Sequence, residues 1–530
     1  MGSQTLKNVQ KKFKLRGLAL TIEALRAVVN FINEFTDAED EALELVMDEI
    51  DRVSLQAPVL DKKCVEGIIN LLAGTNAEND YTAGASITAY NQCGLRIIDV
   101  FLVSKFCYDP IRKMFYEFTG KLPIHGEANS KATLYRERLQ LLQQRLARDR
   151  HFARPAFASD TSRSGSFEMI PIQSLIGCIG RRWIMGVISQ LEDGHFFLED
   201  LTGAIPIDLS QAKITTGYFV ENTIIVAEGE LQPNGVFQIH TCGFPPLENR
   251  NVSLSVTAGL DFFGGGALTT DETTRFADLE EKAVNDMFVI LSDVWVDCAE
   301  TMEKVATVLD GYEAVEIVPS LFVFMGNFCS RPCNLAFHSF SELRTQFGKL
   351  GSMIAAHTRL KEGSRFLFIP GPDDAGPAKV LPRPALPNFF CEEVKKHVPN
   401  AIFSSNPCRI KFYTQEIVLF RQDMLYRMRR SCIIPPSLEE TTEPFEHLVA
   451  TVTHQSHLCP LPLTVQPIIW NFDHCLRLYP TPHTIVLADK AEQKAFKYTG
   501  VTCFNPGSFA NDGTFVAYRP ATHEVELSAL

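Results

Sequence analysis

Three apolar runs with one grammar restrict this chain more than any other feature. Asp286-Met-Phe-Val-Ile-Leu-Ser-Asp293-Val-Trp295 sets five apolar residues between a charge and a small residue followed by an acid. Ser320-Leu-Phe-Val-Phe-Met-Gly326-Asn327 and Ser364-Arg-Phe-Leu-Phe-Ile-Pro-Gly371-Pro-Asp373 repeat the pattern. A strand with water on one side alternates apolar and polar residues. These runs do not alternate, so they read as parallel strands covered on both faces. In open α/β sheets the ligand crevice lies just past the carboxyl ends of such strands. The polar endings are therefore where chemistry would sit.

Helical patterns fall between the runs, over 299–309, 337–357 and 388–397. Further strands read at 401–404, 410–412, 416–420, 468–470, 484–487 and 514–518. A stretch over 435–467, rich in Pro and His, reads as an insertion. Strand and helix alternate from 287 to the end, which predicts one large α/β domain.

Upstream the grammar changes. Short strands at 183–190, 195–200, 204–208, 223–231 and 236–242 are separated by Gly-containing turns. Five such strands predict a small closed barrel of the OB type. An OB barrel can bind single-stranded nucleic acid through aromatics set among basic residues. Phe196, Phe197 and Phe237 are available, but Lys and Arg are scarce between Gln190 and His240. Protein docking is the reading this scarcity favours. A total of 63 acids against 50 bases, net −13, likewise excludes a cationic surface over the whole molecule.

The first 75 residues carry three sets at helical spacing: Leu18, Ile22, Leu25, Val28, Val29 and Ile32; Leu43, Leu45, Val46, Ile50 and Val53; Val65, Ile68, Ile69 and Leu72. They predict a small helical bundle, serving either plain packing or docking. Residues 76–120 are less regular, with strands expected over 97–106 and 114–118. A strong helix former follows over 131–150, with Leu134, Leu139, Leu142 and Leu146 along one side. Its arginines, interspersed with Glu137 and Asp149, read as a solvated face. The small and polar residues of 154–168 read as a linker.

Fourteen cysteines are scattered singly, the closest pair being Cys329 and Cys333, which is the wrong spacing for a zinc knuckle. Buried reduced thiols are expected. The basic start lacks a signal core, and no apolar run reaches the ~18 residues of a membrane span. An intracellular, reducing compartment follows.

Two-metal chemistry needs Asp, Asn and His at successive strand ends, where they hold two cations against a phosphate. Asp293 keeps the acid, but Trp295 stands where a His ligand belongs. Asn327 replaces a bridging carboxylate with a neutral amide. Pro372 and Asp373 follow Gly371 without the required Asn and His. Asp489 and Lys490 stand where a Gly-His-x-His would be, and a lysine repels cations. His447, His454, His457, His474 and His483 cluster late in the chain. Cys459-Pro-Leu-Pro462 leaves no long helix to present His454 and His457 together, so hydrogen-bonded histidines are expected. The frame is that of an enzyme and the ligands are missing: no catalytic residue, no metal and no cofactor is predicted.

The order of the pieces resembles the B-subunit family of replicative DNA polymerases, with its epsilon branch nearest. The residues that carry this are Phe13-Lys-Leu-Arg-Gly17, Tyr135-Arg-Glu-Arg138 with Gln144-Arg145, Phe196-Phe-Leu-Glu-Asp200, Gly243-Phe-Pro-Pro246 and Phe262-Phe-Gly-Gly265. Leu291-Ser-Asp-Val-Trp295, Pro370-Gly-Pro-Asp373, Leu381-Pro-Arg-Pro384, Ser405-Asn-Pro-Cys-Arg409, His457-Leu-Cys-Pro-Leu-Pro462 and Asn505-Pro-Gly-Ser-Phe509 continue it. The resemblance implies a multidomain α/β and β protein. Its parts would be an N-terminal helical bundle similar to the lid of AAA+ ATPases (1–75), a connecting segment with a long helix (76–153), a linker (154–168), a five-stranded OB-fold barrel (169–250) and an inactive calcineurin-like phosphoesterase α/β sandwich (251–530). The OB-fold would be inserted near the start of the sandwich.

The resemblance further implies a nuclear, non-catalytic accessory subunit. It would bind the cysteine-rich C-terminal domain of the catalytic subunit of DNA polymerase epsilon, and GINS of the replicative helicase through its N-terminal domain. Histone-fold small subunits would be reached indirectly, DNA weakly or through the complex, and no membrane. The alternatives are a live two-metal phosphodiesterase, a B-subunit of polymerase delta or alpha, and an OB-type single-strand binder.

Overall fold

The computed structural model describes residues 94–152 and 167–530, except 193, 258, 334–339 and 378, together with 12, 13, 19–21, 24, 25, 28, 59 and 60. The chain divides into two units, Met1–Asn91 and Gln92–Leu530. In the first, β1 (Ala19–Leu20) pairs in parallel with β2 (Val59–Leu60), a pairing the all-helical reading does not contain. Leu25 and Val28 are helical and buried. The remainder of the predicted bundle lies outside the described residues, as does the linker predicted over 154–168 except for its last two residues.

The second unit opens with β3 (Leu95–Asp99), a 3-10 turn at Val100–Leu102, and a hairpin of β4 (Phe106–Asp109) and β5 (Met114–Glu117). One continuous strand over 97–106 is not formed, because the Asp99 carboxylate accepts the Phe101 N–H at 2.9 Å and turns the chain. The long helix Ala128–Leu146 follows.

Six strands build the next layer: β6 (Arg182–Glu192), β7 (His195–Glu199), β8 (Ala204–Asp208), β9 (Lys213–Ile214), β10 (Ile224–Leu231) and β11 (Phe237–Gly243). Their order is β10-β6-β7-β8-β11-β9. β10 also pairs with β11, so five strands close on themselves and β9 is left on the rim. Ile184, Leu198, Ile225, Phe237 and Ile239 fill the interior.

Two further six-stranded sheets complete the unit. One holds β12 (Phe288–Ser292), β13 (Leu321–Met325), β14 (Arg365–Ile369) and β15 (Ile402–Phe403). The other holds β16 (Cys408–Phe412), β17 (Gln415–Arg421), β18 (Thr484–Ala488), β19 (Lys494–Tyr498) and β20 (Val501–Asn505). Finally β21 (Thr514–Arg519) and β22 (Glu524–Ala529) return to the first sheet. The orders are β15-β14-β13-β12-β21-β22 and β19-β20-β18-β17-β16-β3. β12 to β15 are mutually parallel, as their unbroken apolar runs predict. β3 comes from the connecting segment, at the start of the strand expected from 97, and it forms the edge of the second sheet by pairing antiparallel with β16.

The sheets share one core, in which Ile290, Val323 and Leu367 face Ile410, Leu419 and Val486. On its other side the first sheet turns Phe322, Phe324, Phe366 and Phe368 toward the helices Ala299–Glu313, Phe340–Ala356 and Asn388–His397. The second turns Val418, Phe420 and Ile485 toward the helix Pro444–His454, so 435–467 carries core rather than a mere insertion. Each such buried side chain contributes ~1.5–3 kcal/mol, and covering both faces of both sheets is what turns the apolar runs into strands. Of the strand expected over 468–470 only a single parallel bridge from Ile468 to Leu381 forms, and a 3-10 helix, Trp470–Leu476, begins at its last residue. Among the described residues no helix is long and apolar enough to cross a membrane, and all described cysteines are free thiols.

The long helix joins barrel and sandwich. Leu139, Leu142 and Leu146 pack on Met185, Val187, Ile224 and Val226 of the barrel wall. The solvated reading holds for Arg136 and Arg150, which are exposed, and is corrected for two others. Arg138 and Arg145 are buried. Arg138 pairs with Asp473, and Arg145 donates to Ser456 Oγ, Pro245 O and His454 O at 2.6, 3.0 and 2.7 Å. Glu137 pairs with Lys105 and Arg477. Most of these partners lie hundreds of positions away, so a helical wheel cannot show them.

Candidate functional site

The strand ends converge as the apolar runs predict, and a guanidinium sits where they meet. Asp293 follows β12 in a left-handed conformation, φ +58°, which few non-glycine residues adopt. Its Oδ1 accepts the Asn327 N–H at 3.0 Å, and Asn327 Oδ1 in turn accepts the Asp373 N–H at 2.9 Å. Arg421, the last residue of β17, crosses from the second sheet and donates from Nη2 to Asp293 Oδ1 at 2.7 Å. Both side chains of this pair are 0 % exposed. Arg421 Nε donates to Gly326 O at 2.7 Å, and Nη1 to Asp423 Oδ1 at 2.7 Å and Ala488 O at 3.3 Å. Burial opposes the charge of Arg421, yet Asp293 and Asp423 together raise its pKa above the ordinary arginine value.

The other predicted positions surround this plug. Asp489 is buried at the end of β18, and its Oδ2 accepts the N–H groups of Met424 and Leu425 at 2.6 and 2.9 Å. Burial raises its pKa. Lys490 is exposed and reaches Asp423 Oδ2 at 3.7 Å. Asp373 pairs with Lys379. Pro372 is buried and offers its carbonyl to Arg383 at 3.3 Å, while Trp295 is half-buried.

Three neighbours are not among the predicted site positions. Asp374 accepts the Phe328 and Gly371 N–H groups at 2.6 and 2.7 Å. Burial pushes its pKa up to about 6. Asn406 bridges Pro370 O and Arg421 O at 2.9 and 2.6 Å and accepts the Arg421 N–H at 3.1 Å. Gly326 admits no side chain, since a Cβ there would overlap the Asp374 carboxylate and the Gly371 amide. Arg421 itself is legible: Glu416-Ile-Val-Leu-Phe420 is another apolar run with a polar ending, and that ending is the arginine.

The arrangement does not fit two metals. A guanidinium fills the point where the strand ends meet, and every imidazole of the late cluster is engaged elsewhere. His447 accepts from Gly217 N at 3.0 Å, and His454 lies 2.9 Å from Pro245 O and 2.8 Å from Tyr498 Oη. His457 meets Asp473, His474 lies 3.2 Å from Val103 O, and His483 accepts the Glu416 N–H at 3.0 Å. Among the described residues no group of three or more His, Cys, Asp or Glu could hold a metal ion.

The family model for the B subunit of DNA polymerase alpha/epsilon matches residues 288–497, and that for the DNA polymerase epsilon subunit 2-like OB-fold domain matches 128–246. The chain is 62% identical to the DNA polymerase epsilon B subunit of Arabidopsis thaliana, covering 100% of this chain and 99% of that one. It is 34% identical to "DNA polymerase epsilon subunit 2" of Homo sapiens, over 98% and 97%. A solved archaeal phosphodiesterase aligns with 46% of this chain and 99% of its own at 9% identity and a TM-score of 0.27, which carries no weight for function. Full-length identity at this level, with both family models in the expected order, places the chain in the family of DNA polymerase epsilon B subunits, accessory subunits without catalytic activity of their own.

Proposed function

We propose that this subunit is a scaffold whose partners dock on the barrel and sandwich while the strand-end cleft performs no chemistry. Its main partner is the cysteine-rich C-terminal domain of the epsilon catalytic subunit. The N-terminal domain (1–75) links the polymerase to GINS and the replicative helicase, and the histone-fold small subunits are reached indirectly. The protein works in the nucleus and meets DNA weakly or through the complex. The domain division of 76–153, 154–168, 169–250 and 251–530 goes with this reading. So does the assignment of Asp293, Trp295, Asn327, Pro372, Asp373, Asp489 and Lys490 as remnants of a metal site.

One observation carries the non-catalytic part: the fully buried Arg421–Asp293 pair occupies the convergence of the strand ends. Co-purification from nuclear extract, with metal analysis and a phosphodiesterase assay on the isolated subunit, tests the whole. Recovery of the epsilon catalytic subunit, no stoichiometric transition metal and no turnover are expected. Two bound metals with turnover would overturn the scaffold reading, and recovery of the delta or alpha catalytic subunit would overturn the choice of partner.

A further inference from the structure

Four oxygens from four separate segments point at one side chain. Asp293 Oδ1 and Gly326 O lie at the ends of β12 and β13 in the first sheet, each 2.7 Å from Arg421 nitrogens. Asp423 Oδ1 and Ala488 O follow β17 and end β18 in the second, at 2.7 and 3.3 Å. A fifth oxygen, Asp293 Oδ2, is buried and has no hydrogen-bond partner. The set contains no sulfur and no imidazole. Two carboxylates supply two negative charges, the guanidinium returns one, and Lys490 adds a partial share from the surface at 3.7 Å.

Carboxylate and peptide carbonyl oxygens without nitrogen or sulfur are the ligand chemistry of hard cations, whereas zinc draws on imidazole and thiolate. We infer that Arg421 is a built-in cation: it holds the two sheets together through an oxygen set that would otherwise take a hard divalent ion, and the cleft binds Ca2+ or Mn2+ once that side chain is removed. The wild-type chain has no room for the ion, because the guanidinium makes a hydrogen bond to each of the four oxygens. A guanidinium differs from a metal in one consequential way. It brings no exchangeable water that could be activated as a nucleophile, so the staple remains while hydrolytic chemistry does not. The inference does not depend on which polymerase the protein serves.

Arg421→Ala in the full-length subunit, followed by thermal unfolding with CaCl2, MnCl2 or ZnCl2, tests this. A rise in midpoint of about 2–3 °C is expected at a hundredfold excess of Ca2+ or Mn2+ over its Kd. No comparable rise is expected in the wild type or in Arg421→Ala/Asp293→Asn. Methylguanidine should stabilise Arg421→Ala as well, since it restores the missing group. Should Arg421→Ala not be recovered soluble, Arg421→Gln, which keeps most of the stem without the charge, gives the same readout. Equal shifts in wild type and variant would overturn the proposal, as would a shift that survives Asp293→Asn. So would the absence of any Ca2+ or Mn2+ effect on both Arg421 variants.

Discussion

Replacing Asp473 by asparagine isolates the contact on which the joint between barrel and sandwich turns. Arg138 of the long helix donates from Nε to Asp473 Oδ2 at 3.1 Å and from Nη2 to Oδ1 at 2.5 Å, with the side chains 8% and 3% exposed. His457 completes the cluster. Its Nδ1 accepts the Cys459 N–H at 3.1 Å, and its Nε2 lies 3.2 Å from Asp473 Oδ1 and 3.1 Å from Arg138 Nη2. Burial pushes the His457 pKa down to about 4, which keeps the ring neutral at pH 7. Burial opposes the ionised Asp473, but Arg138 and His457 hold its carboxyl below the usual range. An asparagine offers one acceptor oxygen and turns an N–H2 toward a donor, leaving the buried guanidinium uncompensated. Removing one member of a buried pair costs about 3–5 kcal/mol. Arg138→Met/Asp473→Leu removes both charges, and its cost should fall short of the sum of the single changes by about 2 kcal/mol or more. Denaturant midpoints report these costs, and hydrogen exchange of amides in Ala128–Leu146 shows whether the helix is the element released. A cost below about 1 kcal/mol for Asp473→Asn, or an additive double variant, would refute the reasoning.

The acid response follows from the buried imidazoles. His454 and His457 are pushed down to about 4 by burial, and His474 and His483 to about 3. The unfolded chain therefore binds more protons than the folded one below pH ~6.5, and stability that is present above this value falls as the pH drops toward 4. Asp374, raised by burial to about 6, works in the opposite direction, because its folded-state carboxyl keeps a proton that the unfolded one loses, and Asp489, Asp286 and Glu221, raised by burial in the same sense, add to it. A denaturant midpoint that stays flat from pH 7 to 4.5 would contradict this balance. Gln455 accepts the Ile224 N–H and donates to Ile224 O, both at 2.8 Å, bridging helix and barrel. Gln455→Leu leaves both backbone groups unpaired and should cost about 2–4 kcal/mol, measured by chemical unfolding. Leu142, wholly buried between the long helix and the barrel wall, should lose about 2–4 kcal/mol on change to alanine, read by the same method.

The legible part of the fold is whatever repeats locally. The runs that form β12, β13 and β14 are apolar at nearly every position, and such a run has no solvent face to offer, so two covering layers follow. The helix over 388–397 reads to the residue because its apolar period and the Pro387 before it act within one turn. β19, β20 and β22 escape the sequence reading. β19 and β22 are short strands with partly exposed residues, and Val501–Asn505 ends in a polar residue that conceals its full burial.

The sequence by itself determined the class of the molecule: covered parallel strands, a small barrel before them, and strand ends without the imidazoles that two metals require. Tertiary structure alone decided what fills those ends. Arg421 and Asp293 stand 128 positions apart, and Arg138 and Asp473 stand 335 apart. Periodicity reports which face of a segment is buried. A charge is settled by the partner it meets inside the fold, and no local pattern encodes that partner. Arg138, Arg145 and the arginine ending β17 have one explanation: each is buried because a carboxylate from a distant segment was brought within hydrogen-bond reach or, for Arg145, a cluster of carbonyl and hydroxyl oxygens.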